Sequence, residues 1–311
     1  MPPIRPDDGV FDELAALVTE SRNPRTERID RVPIEEALRA MSAEDATVAE
    51  AVAREIPQIA RLVEHAVAAL RAGGRIVYVG AGTSGRLGVL DAAECPPTFG
   101  TDPSRVVGLI AGGDGAIRRS VEGAEDDEEA GRRAIDDVAA SAKDLVVGLA
   151  ASRRTPFVVA ALARARERGA ATALVTCAPR DTVRIPVDVA VCPVVGPEAI
   201  MGSTRLKAGT AQKMVLNMLT TAAMIRLGKV YRNMMVDLRA SSRKLRERSV
   251  RTLMIVTGLD RDRAAAVLAR AGGSVKVAIV MERRGVEADE AVRLIDAADG
   301  FVGRALGEED A

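Results

Sequence analysis

Short apolar runs alternate with helix-length segments through the middle of the chain, and this rhythm constrains the fold more than any other feature. Four of the five runs end in Gly, Ser or Thr, where a chain turns into a following helix. The alternation is typical of βαβ units, so we predict an α/β fold with a doubly wound parallel sheet. The runs lie at residues 75–80, 105–113, 144–152, 171–176 and 187–195.

Helical patterns flank the predicted sheet on both sides. We expect an N-terminal helical arm over residues 1–56, in which the polar stretch 19–33 is extended, and helical spacing from Ile34 to Leu70. The sheet domain then covers 57–228, and a C-terminal helical region covers 229–311. The helices expected after Gly202 lie at 203–227 and 235–249, followed by a small bundle near 260–271, 274–283 and 287–297.

The composition excludes several classes of function. Lys plus Arg and Asp plus Glu each number 44, so the charge balance gives no argument for nucleic acid or an anionic membrane as partner. Cys95, Cys177 and Cys192 show no CxxC spacing, which predicts neither disulfides nor a zinc site. The single His65 lies in a helical pattern, where a packing or surface role is usual. No signal-peptide core or long apolar run appears, so we expect a cytoplasmic protein.

A glycine-rich loop, residues 80–85 (GAGTSG), directly follows the first apolar run. Glycines allow close approach to a ligand, and the amides of the next helix favour an anion. The spacing also matches a dinucleotide fingerprint, but the first acid after the second run, Asp114, comes late for a ribose contact. We therefore favour a phosphate ester held by Gly82, Thr83 and Ser84. A dinucleotide and a merely tight turn remain the alternatives.

Two further hydroxyl-bearing loops follow later strands. Ser152 and Thr155 follow the third run, and Ser203 and Thr204 precede the long helix, with Lys207 one turn further on. Each pair alone is as well explained by helix capping. Because ligands of such sheets bind beyond the carboxyl ends of the strands, three such loops together favour one anionic sugar site.

Two glutamates, Glu94 and Glu125, lie in sequence contexts that bear on a candidate catalytic role. Glu94 precedes Cys95 and Pro96, and since a residue before proline is pushed out of helical geometry, we expect a helix to end at Cys95. A carboxylate at a helix C-terminus is disfavoured by the helix dipole. Glu125 lies in an acidic run, and composition alone does not separate it from Glu122, Asp126 and Glu128.

Five motifs together closely resemble the N-acetylmuramic acid 6-phosphate etherases, a family of the sugar-isomerase (SIS) fold group. The resemblance runs from residue 19 to the C-terminal bundle. The blocks ECPPTFG and GSTRLKAGTAQKMVLNM are specific to the family, not general to SIS proteins. The motifs are residues 80–100, 108–113, 121–127, 196–219 and 228–238.

The resemblance implies loss of D-lactate from a phosphorylated amino sugar, N-acetylmuramic acid 6-phosphate, by a homodimer in peptidoglycan recycling, without metal or redox cofactor. It assigns catalysis to Glu94 and Glu125 and the sugar contacts to the three loops. In the open-chain sugar, the C1 aldehyde acidifies the C2 proton. A base removes this proton, an acid protonates the departing lactate oxygen, and water adds at C3. We assign Glu94 as acid and Glu125 as base.

Three positions depart from the family pattern: Arg153 and Arg232 stand where Gly is usual, and Met201 replaces a small polar residue. Two other functions remain open, an aldose–ketose isomerase and a non-catalytic regulator resembling the glucokinase regulatory protein. The regulator needs the phosphate loops but not both glutamates.

The spacing of Glu94 raises a geometric question. It lies ten residues past Ser84, so an unbroken helix carries it roughly 15 Å from the glycine-rich loop. Either the helix is short or offset near Gly88, or Glu94 serves a site shared with a second subunit. We favour the shared site, near the subunit interface.

Overall fold

The computed structural model describes residues 18–238 and 242–308. The chain divides into two compact units, Met1–Asp91 with Val106–Leu219, and Ala92–Arg105 with Thr220–Ala311. Residues 1–17 of the predicted arm, and residues 239–241 and 309–311, lie outside the described residues. The domain limits drawn from the sequence stay a prediction.

A five-stranded parallel sheet forms the centre of the first unit, in the order β2-β1-β3-β4-β5. Each strand lies within one of the five apolar runs, so the predicted α/β fold is confirmed. All residues of β1 and β3 are buried, which explains their continuous apolar sequence. The strands are β1 Ile76–Gly80, β2 Val106–Ile110, β3 Leu145–Leu149, β4 Ala171–Val175 and β5 Val189–Val191.

Eight helices accompany this sheet in the described part of the chain. The predicted helical stretch 34–70 is divided into three helices, and the long helix predicted from residue 203 begins four residues later. The helices are α1 Ile34–Asp45, α2 Val48–Ala53, α3 Ile56–Arg71, α4 Gly82–Phe99, α5 Gly115–Arg118, α6 Glu128–Asp137, α7 Pro156–Glu167 and α8 Lys207–Arg226.

The prediction of an extended stretch over residues 19–33 is wrong. Short 3-10 turns form at Val18–Glu20 and Pro24–Thr26. The Asn23 side chain accepts a hydrogen bond from the Arg25 amide at 3.0 Å, the local contact by which Asn initiates turns. Thr26 is buried against Ala199, 173 residues away in sequence. The stretch is therefore folded by a long-range contact that its polar composition conceals.

The predicted helix end at Cys95 is also wrong, because α4 continues through Pro96 and Pro97 to Phe99. A proline inside a helix costs about 3 kcal/mol. Cys95 and Phe99 are both buried, at 2% and 8% exposure, and their burial offsets part of that cost. The Gly100 amide donates to Pro96 O at 3.0 Å and closes the last turn.

The second unit contains a two-stranded hairpin and a helical bundle. The three short helices predicted there are confirmed as α10, α11 and α12, and α13 was not predicted. The bundle core contains Leu253, Leu268, Ile279 and Ile295. The elements are β6 Val230–Tyr231, β7 Met234–Met235, α9 Arg243–Thr257, α10 Arg261–Arg270, α11 Val275–Arg284, α12 Ala288–Ala297 and α13 Val302–Leu306.

The helix predicted over 235–249 is misplaced. Met235 belongs to the hairpin, and α9 begins after Ser242, whose hydroxyl accepts a hydrogen bond from the Leu245 amide at 3.2 Å. Ser242 is thus the N-cap that starts the helix. In the described part of the chain, no single helix has the length and apolarity to cross a membrane. Helices α10 and α11 reach that length and composition only when taken together, but they are bent by 107° and supply residues of the bundle core.

Helix α4 lies unusually close to the sheet, and glycines make this possible. A Cβ added to Gly85 would lie 2.7 Å from Gly80 O and 2.7 Å from Ile110 Cγ1, and one added to Gly88 would lie 2.8 Å from Tyr78 Cβ. These distances are too short for real carbon contacts. The glycines at 80, 85 and 88 therefore serve the packing of α4 on β1.

We expect Gly85→Ala to destabilise the protein by about 2 kcal/mol, since the added methyl overpacks against backbone. Gly115→Ala is the matched control, because a Cβ there meets nothing within 4 Å. It should leave stability unchanged or raise it by up to about 1 kcal/mol. Urea denaturation of both variants measures the difference. An unchanged midpoint in Gly85→Ala would contradict the packing role.

The hairpin turn shows why Gly suits position 232, where this chain departs from the family pattern by having Arg. Arg232 is the first residue of the two-residue β6–β7 turn and has φ +54°, the conformation for which Gly is favoured. Its guanidinium lies 5.2 Å from the centre of the Tyr231 ring and 3.5 Å from Glu308 Oε1. These exposed contacts are individually weak.

We expect Arg232→Gly to be more stable than Arg232→Val by about 1–2 kcal/mol. Both variants remove the same two contacts, so they differ chiefly in how well the new residue tolerates positive φ. Thermal unfolding of the pair checks this. Equal stabilities would show that backbone strain at this turn is negligible.

Candidate functional site

The sheet order defines where a ligand of this fold binds. The chain passes from β1 to β2 on one side and then returns to β3 on the other side of β1. This reversal is the topological switch point, where parallel sheets bind ligands beyond their carboxyl ends. The glycine-rich loop after β1 and the Ser152–Thr155 loop after β3 flank this point, since Gly80 pairs with Leu149. Two of the three predicted loops are thus neighbours.

A cavity of about 130 Å³ joins the glycine-rich loop to the predicted base. Gly82 contributes from the loop, with φ +53° and open space around its missing side chain. Glu125 contributes from the 3-10 turn Ala124–Asp126. The other lining residues are Ala81, Arg86, Ala111, Ala116, Ser120, Val121, Glu122, Gly123 and Ala124.

The cavity narrows the choice within the acidic run. Glu122 and Glu125 line it, whereas Asp126 and Glu128 do not. Asp127 instead caps α6 by accepting a hydrogen bond from the Ala130 amide at 2.8 Å. Geometry thereby reduces four candidate carboxylates to two, a separation that composition did not provide.

Arg86 contributes a positive charge to the lining of the same cavity. Its Nε donates to Ile117 O at 3.0 Å, which ties the first turns of α4 to α5. Nothing in the sequence distinguishes Arg86, because one arginine on a helix surface carries no pattern of its own. Its position beside Gly82 and Glu125 is visible only in the fold.

Ser84 is held by the long helix α8. Its hydroxyl donates to Gln212 Oε1 at 2.8 Å, and both side chains are buried. Gln212 Nε2 is buried without a hydrogen-bond partner in the described structure. Thr83 also faces α8, since a Cβ on Gly209 would lie 3.4 Å from Thr83 Cγ2. The first turns of α4 and α8 are therefore in contact.

The loop after β3 is ordered by the neighbouring strand. The Cys177 amide donates to Ala151 O at 3.0 Å. The Ser152 hydroxyl accepts only a long contact, 3.4 Å, from the Arg154 amide. Thr155 precedes α7 without a side-chain capping bond, so helix capping does not explain its hydroxyl.

The structure places Arg153, a departure from the family pattern, at a second cavity. It lines a separate cavity of about 360 Å³ together with Arg154 and Arg184. The apolar wall of this cavity comes from α7 and the β4–β5 connection, through Val159, Ala163, Ile185 and Pro186. Arg153 does not line the cavity that holds Glu125.

The Lys207 side chain forms an ion pair inside the protein. Its Nζ lies 2.6 Å from Glu44 Oε2, and both side chains are 1% exposed. Its amide and that of Ala208 donate to the buried Glu198 carboxylate at 2.9 and 3.0 Å. A carboxylate at a helix N-terminus is favourable, so the start of α8 already holds an internal anion. Lys207 as a substrate contact stays a prediction.

Glu44 contributes a negative charge to this buried cluster. Burial raises the pKa of its carboxyl, but hydrogen bonds with Lys207 and Asn23 and the charges of Lys207 and Arg25 outweigh that effect, so the pKa lies below its usual value. Glu44 therefore stays ionised. Neither Glu44 nor Glu198 was selected from the sequence, because their partners lie far along the chain or in the backbone.

Glu94 lies on α4 in the second compact unit, and its side chain is exposed. The helix is unbroken from Gly82 to Phe99, so the alternative of a short helix does not hold. The three cysteines form no disulfides and are buried. Burial raises the pKa of Cys177 to about 12 and that of Cys192 to about 11, which keeps both thiols protonated and inert as nucleophiles.

Comparison with known proteins relates the chain to one family over almost its whole length. It is 58% identical over 311 residues to the N-acetylmuramic acid 6-phosphate etherase of Salinibacter ruber, covering 99% of this chain and 100% of that protein. The proteins of the same name from Rhizobium rhizogenes and Serratia proteamaculans are 50% and 52% identical. They cover 97% and 94% of this chain, and 98% and 99% of their own lengths.

Two family profiles match shorter segments. The SIS domain matches residues 133–222, and the glucokinase regulatory protein N-terminal SIS domain matches residues 58–166. Both segments belong to the region that carries the parallel sheet and its crossover helices. The relatives described above extend the likeness to the arm and the C-terminal bundle, which neither profile reaches.

Proposed function

Since this chain belongs to the N-acetylmuramic acid 6-phosphate etherase family, we propose that it cleaves the D-lactyl ether of N-acetylmuramic acid 6-phosphate. The products are N-acetylglucosamine 6-phosphate and D-lactate. The structural observation that most supports this is that Gly82 and Glu125 line one and the same cavity. The sugar-phosphate regulator has no comparable support, because its profile matches only residues 58–166.

The phosphate of the substrate is held by the loops at the carboxyl edge of the sheet. Gly82, Thr83 and Ser84 offer amides and hydroxyls at the start of α4, where the helix dipole favours an anion. Ser152 and Thr155 approach from the loop after β3, and Ser203 and Thr204 from the loop before α8. A sugar phosphate of this kind is the partner that the site requires.

Gln212 prepares Ser84 for the phosphate. While the Ser84 hydroxyl donates to Gln212 Oε1, it cannot donate to a ligand. If the amide turns over, its unpartnered Nε2 donates to Ser84 Oγ, and the hydroxyl proton becomes available for a phosphate oxygen. One rotation thus pairs the buried nitrogen and frees the hydroxyl proton for the ligand, while Oε1 gives up the hydrogen bond that it accepted from Ser84.

The two glutamates perform the elimination. With the sugar open, the Glu125 carboxylate removes the C2 proton, which the C1 aldehyde acidifies. The C3–oxygen bond breaks, and Glu94 gives its proton to the departing lactate oxygen, leaving an unsaturated aldehyde. Water then adds: its hydroxyl goes to C3, a proton returns to C2 and the glutamates regain their starting states. The reaction consumes one water and no oxidant or metal.

Glu94 acts in the site of a second copy of the chain. The unbroken α4 separates it from Ser84 by ten residues, about 15 Å of helix rise. A two-fold dimer supplies the missing carboxylate reciprocally, so that each copy completes the site of the other. We place this dimer in the cytoplasm, where the three cysteine thiols, none of them in a disulfide, remain reduced.

We expect Glu94→Ala and Glu125→Ala each to lower kcat for D-lactate release by a factor of about 10²–10⁴, the usual contribution of a general acid or base. Asp126→Asn is the matched control: it lies next to Glu125 but does not line the cavity. An enzymatic assay for D-lactate with N-acetylmuramic acid 6-phosphate measures all three. Folded wild-type protein that releases no lactate would overturn the proposed function.

Mixing the two inactive variants tests the shared site. Each mixed dimer then has one site with both glutamates intact, so random exchange of subunits should recover about a quarter of wild-type activity. The activity should appear only after the dimers have been dissociated and allowed to reassociate. Folded mixed dimers without activity would show that each chain uses its own Glu94.

A further inference from the structure

The backbone hydrogen bonds within the Ser203–Thr204 loop, residues 196–206, are short-range turns, such as those from the Ser203 amide to Ile200 O at 3.0 Å and from the Leu206 amide to Ser203 O at 3.1 Å. The hydroxyl-bearing residues Ser203 and Thr204 are only half-buried, and Met201 and Gly202 are exposed. Gly202 has φ +75°. Four interactions from the N-terminal arm nevertheless reach this loop and the residue that follows it.

Three of these interactions are hydrogen bonds to the loop backbone. Asn23 Nδ2 donates to Pro197 O at 3.2 Å, and Thr26 Oγ1 donates to Ala199 O at 2.8 Å. The Gly202 amide donates to Thr19 O at 3.2 Å. The bonds attach both the beginning of the loop and its tip to the arm. Thr19, Asn23 and Thr26 are all buried, so water does not compete for these contacts.

The fourth interaction is ionic and fixes the end of the loop. Glu44 Oε2 holds Lys207 Nζ at 2.6 Å, and Glu44 Oε1 lies 2.6 Å from Arg25 Nε. Glu44 thus links α1, the turn Pro24–Thr26 and the first residue of α8. Removing one partner of a buried ion pair costs far more than removing an exposed pair.

We propose that Glu44 and Thr26 are positioning residues, through which the N-terminal arm holds the Ser203–Thr204 loop in its substrate-binding conformation. The proposal rests on the proposed function, in which this loop contacts the sugar phosphate. Neither residue touches the substrate. Glu44 acts through Lys207, and Thr26 acts through the backbone of Ala199.

The kinetic signature follows from where the loop acts. The phosphate lies remote from C2 and C3, so loop contacts bind the ground state and the transition state alike. Loss of such uniform binding raises KM and leaves kcat unchanged. Partial unfolding has the opposite effect, since it removes active enzyme, lowers the apparent kcat and leaves KM unchanged.

The test compares Glu44→Gln and Thr26→Val with Glu50→Gln. Glu50 lies on the same arm and pairs with Arg54, but its side chain is 79% exposed and the pair does not reach the loop. We expect KM for N-acetylmuramic acid 6-phosphate to rise about tenfold or more in Glu44→Gln and about threefold in Thr26→Val, with kcat within about threefold of wild type. The control should match wild type.

Thr26→Val protects the test against a folding failure of Glu44→Gln, because it removes one hydroxyl and keeps the shape of the side chain. If folded Glu44→Gln and Thr26→Val both keep the wild-type KM, the proposal is wrong. It is equally wrong if kcat falls while KM stays constant, since that is the signature of a purely structural contact.

Hydrogen exchange separates this proposal from the proposed function. Without substrate, the amides of residues 199–208 should exchange faster in Glu44→Gln and Thr26→Val than in wild type and Glu50→Gln. If wild type releases no lactate but the exchange changes as expected, the etherase assignment is wrong, and the conclusion that the arm holds the loop is supported. If wild type is active and the exchange is unchanged, the hold of the arm on the loop fails.

Discussion

The close contact between α4 and β1 is the constraint on which the candidate site depends. Gly80 and Gly85 meet backbone to backbone, with a Cβ on either lying under 3.0 Å from the other residue. The Tyr78 hydroxyl adds a hydrogen bond to Asp91 at 2.9 Å, two turns further along the helix. The contact sets the first turn of α4 directly at the carboxyl edge of the sheet. A glycine-rich motif that resembles a ligand loop thus serves packing at Gly80 and Gly85, and only Gly82 faces the cavity.

A second constraint is the unfavourable free energy of burying charged side chains. Lys207, Glu44 and Glu198 are all almost completely buried, which is unfavourable unless each charge is compensated. Lys207 and Glu44 compensate each other, and Glu198 is compensated by the first amides of α8. Because these partners come from the arm, the loop and the helix, the start of α8 is defined by three segments at once. The lysine of the GSTRLK motif is therefore explained by folding before any ligand is considered.

The sequence predicted what is encoded locally and missed what depends on distant contacts. The five strands followed from continuous apolar runs, since burial on both faces leaves that pattern in the sequence. The turn at Pro24–Thr26, by contrast, is fixed by Ala199, and the passage of α4 through Pro96 and Pro97 accompanies the burial of Cys95 and Phe99. Glu44 could not have been selected, because its partner lies 163 residues away. The fold was likewise needed to separate Glu122 and Glu125, which line the cavity, from Asp126 and Glu128, which do not.

The packing of α4 also bears on Glu94. Two explanations were available for the catalytic role proposed for Glu94, ten residues beyond the loop: a helix that is short or offset near Gly88, or a site completed by a second subunit. At Gly88 the helix is also packed closely on the sheet, since a Cβ there would lie 2.8 Å from Tyr78 Cβ and 3.0 Å from Leu149 Cδ1. A break or offset at this point would give up the contact that places the glycine-rich loop. The same interaction that places the glycine-rich loop thus accounts for the unbroken helix, and this continuity is the geometric ground for proposing a site completed by a second subunit.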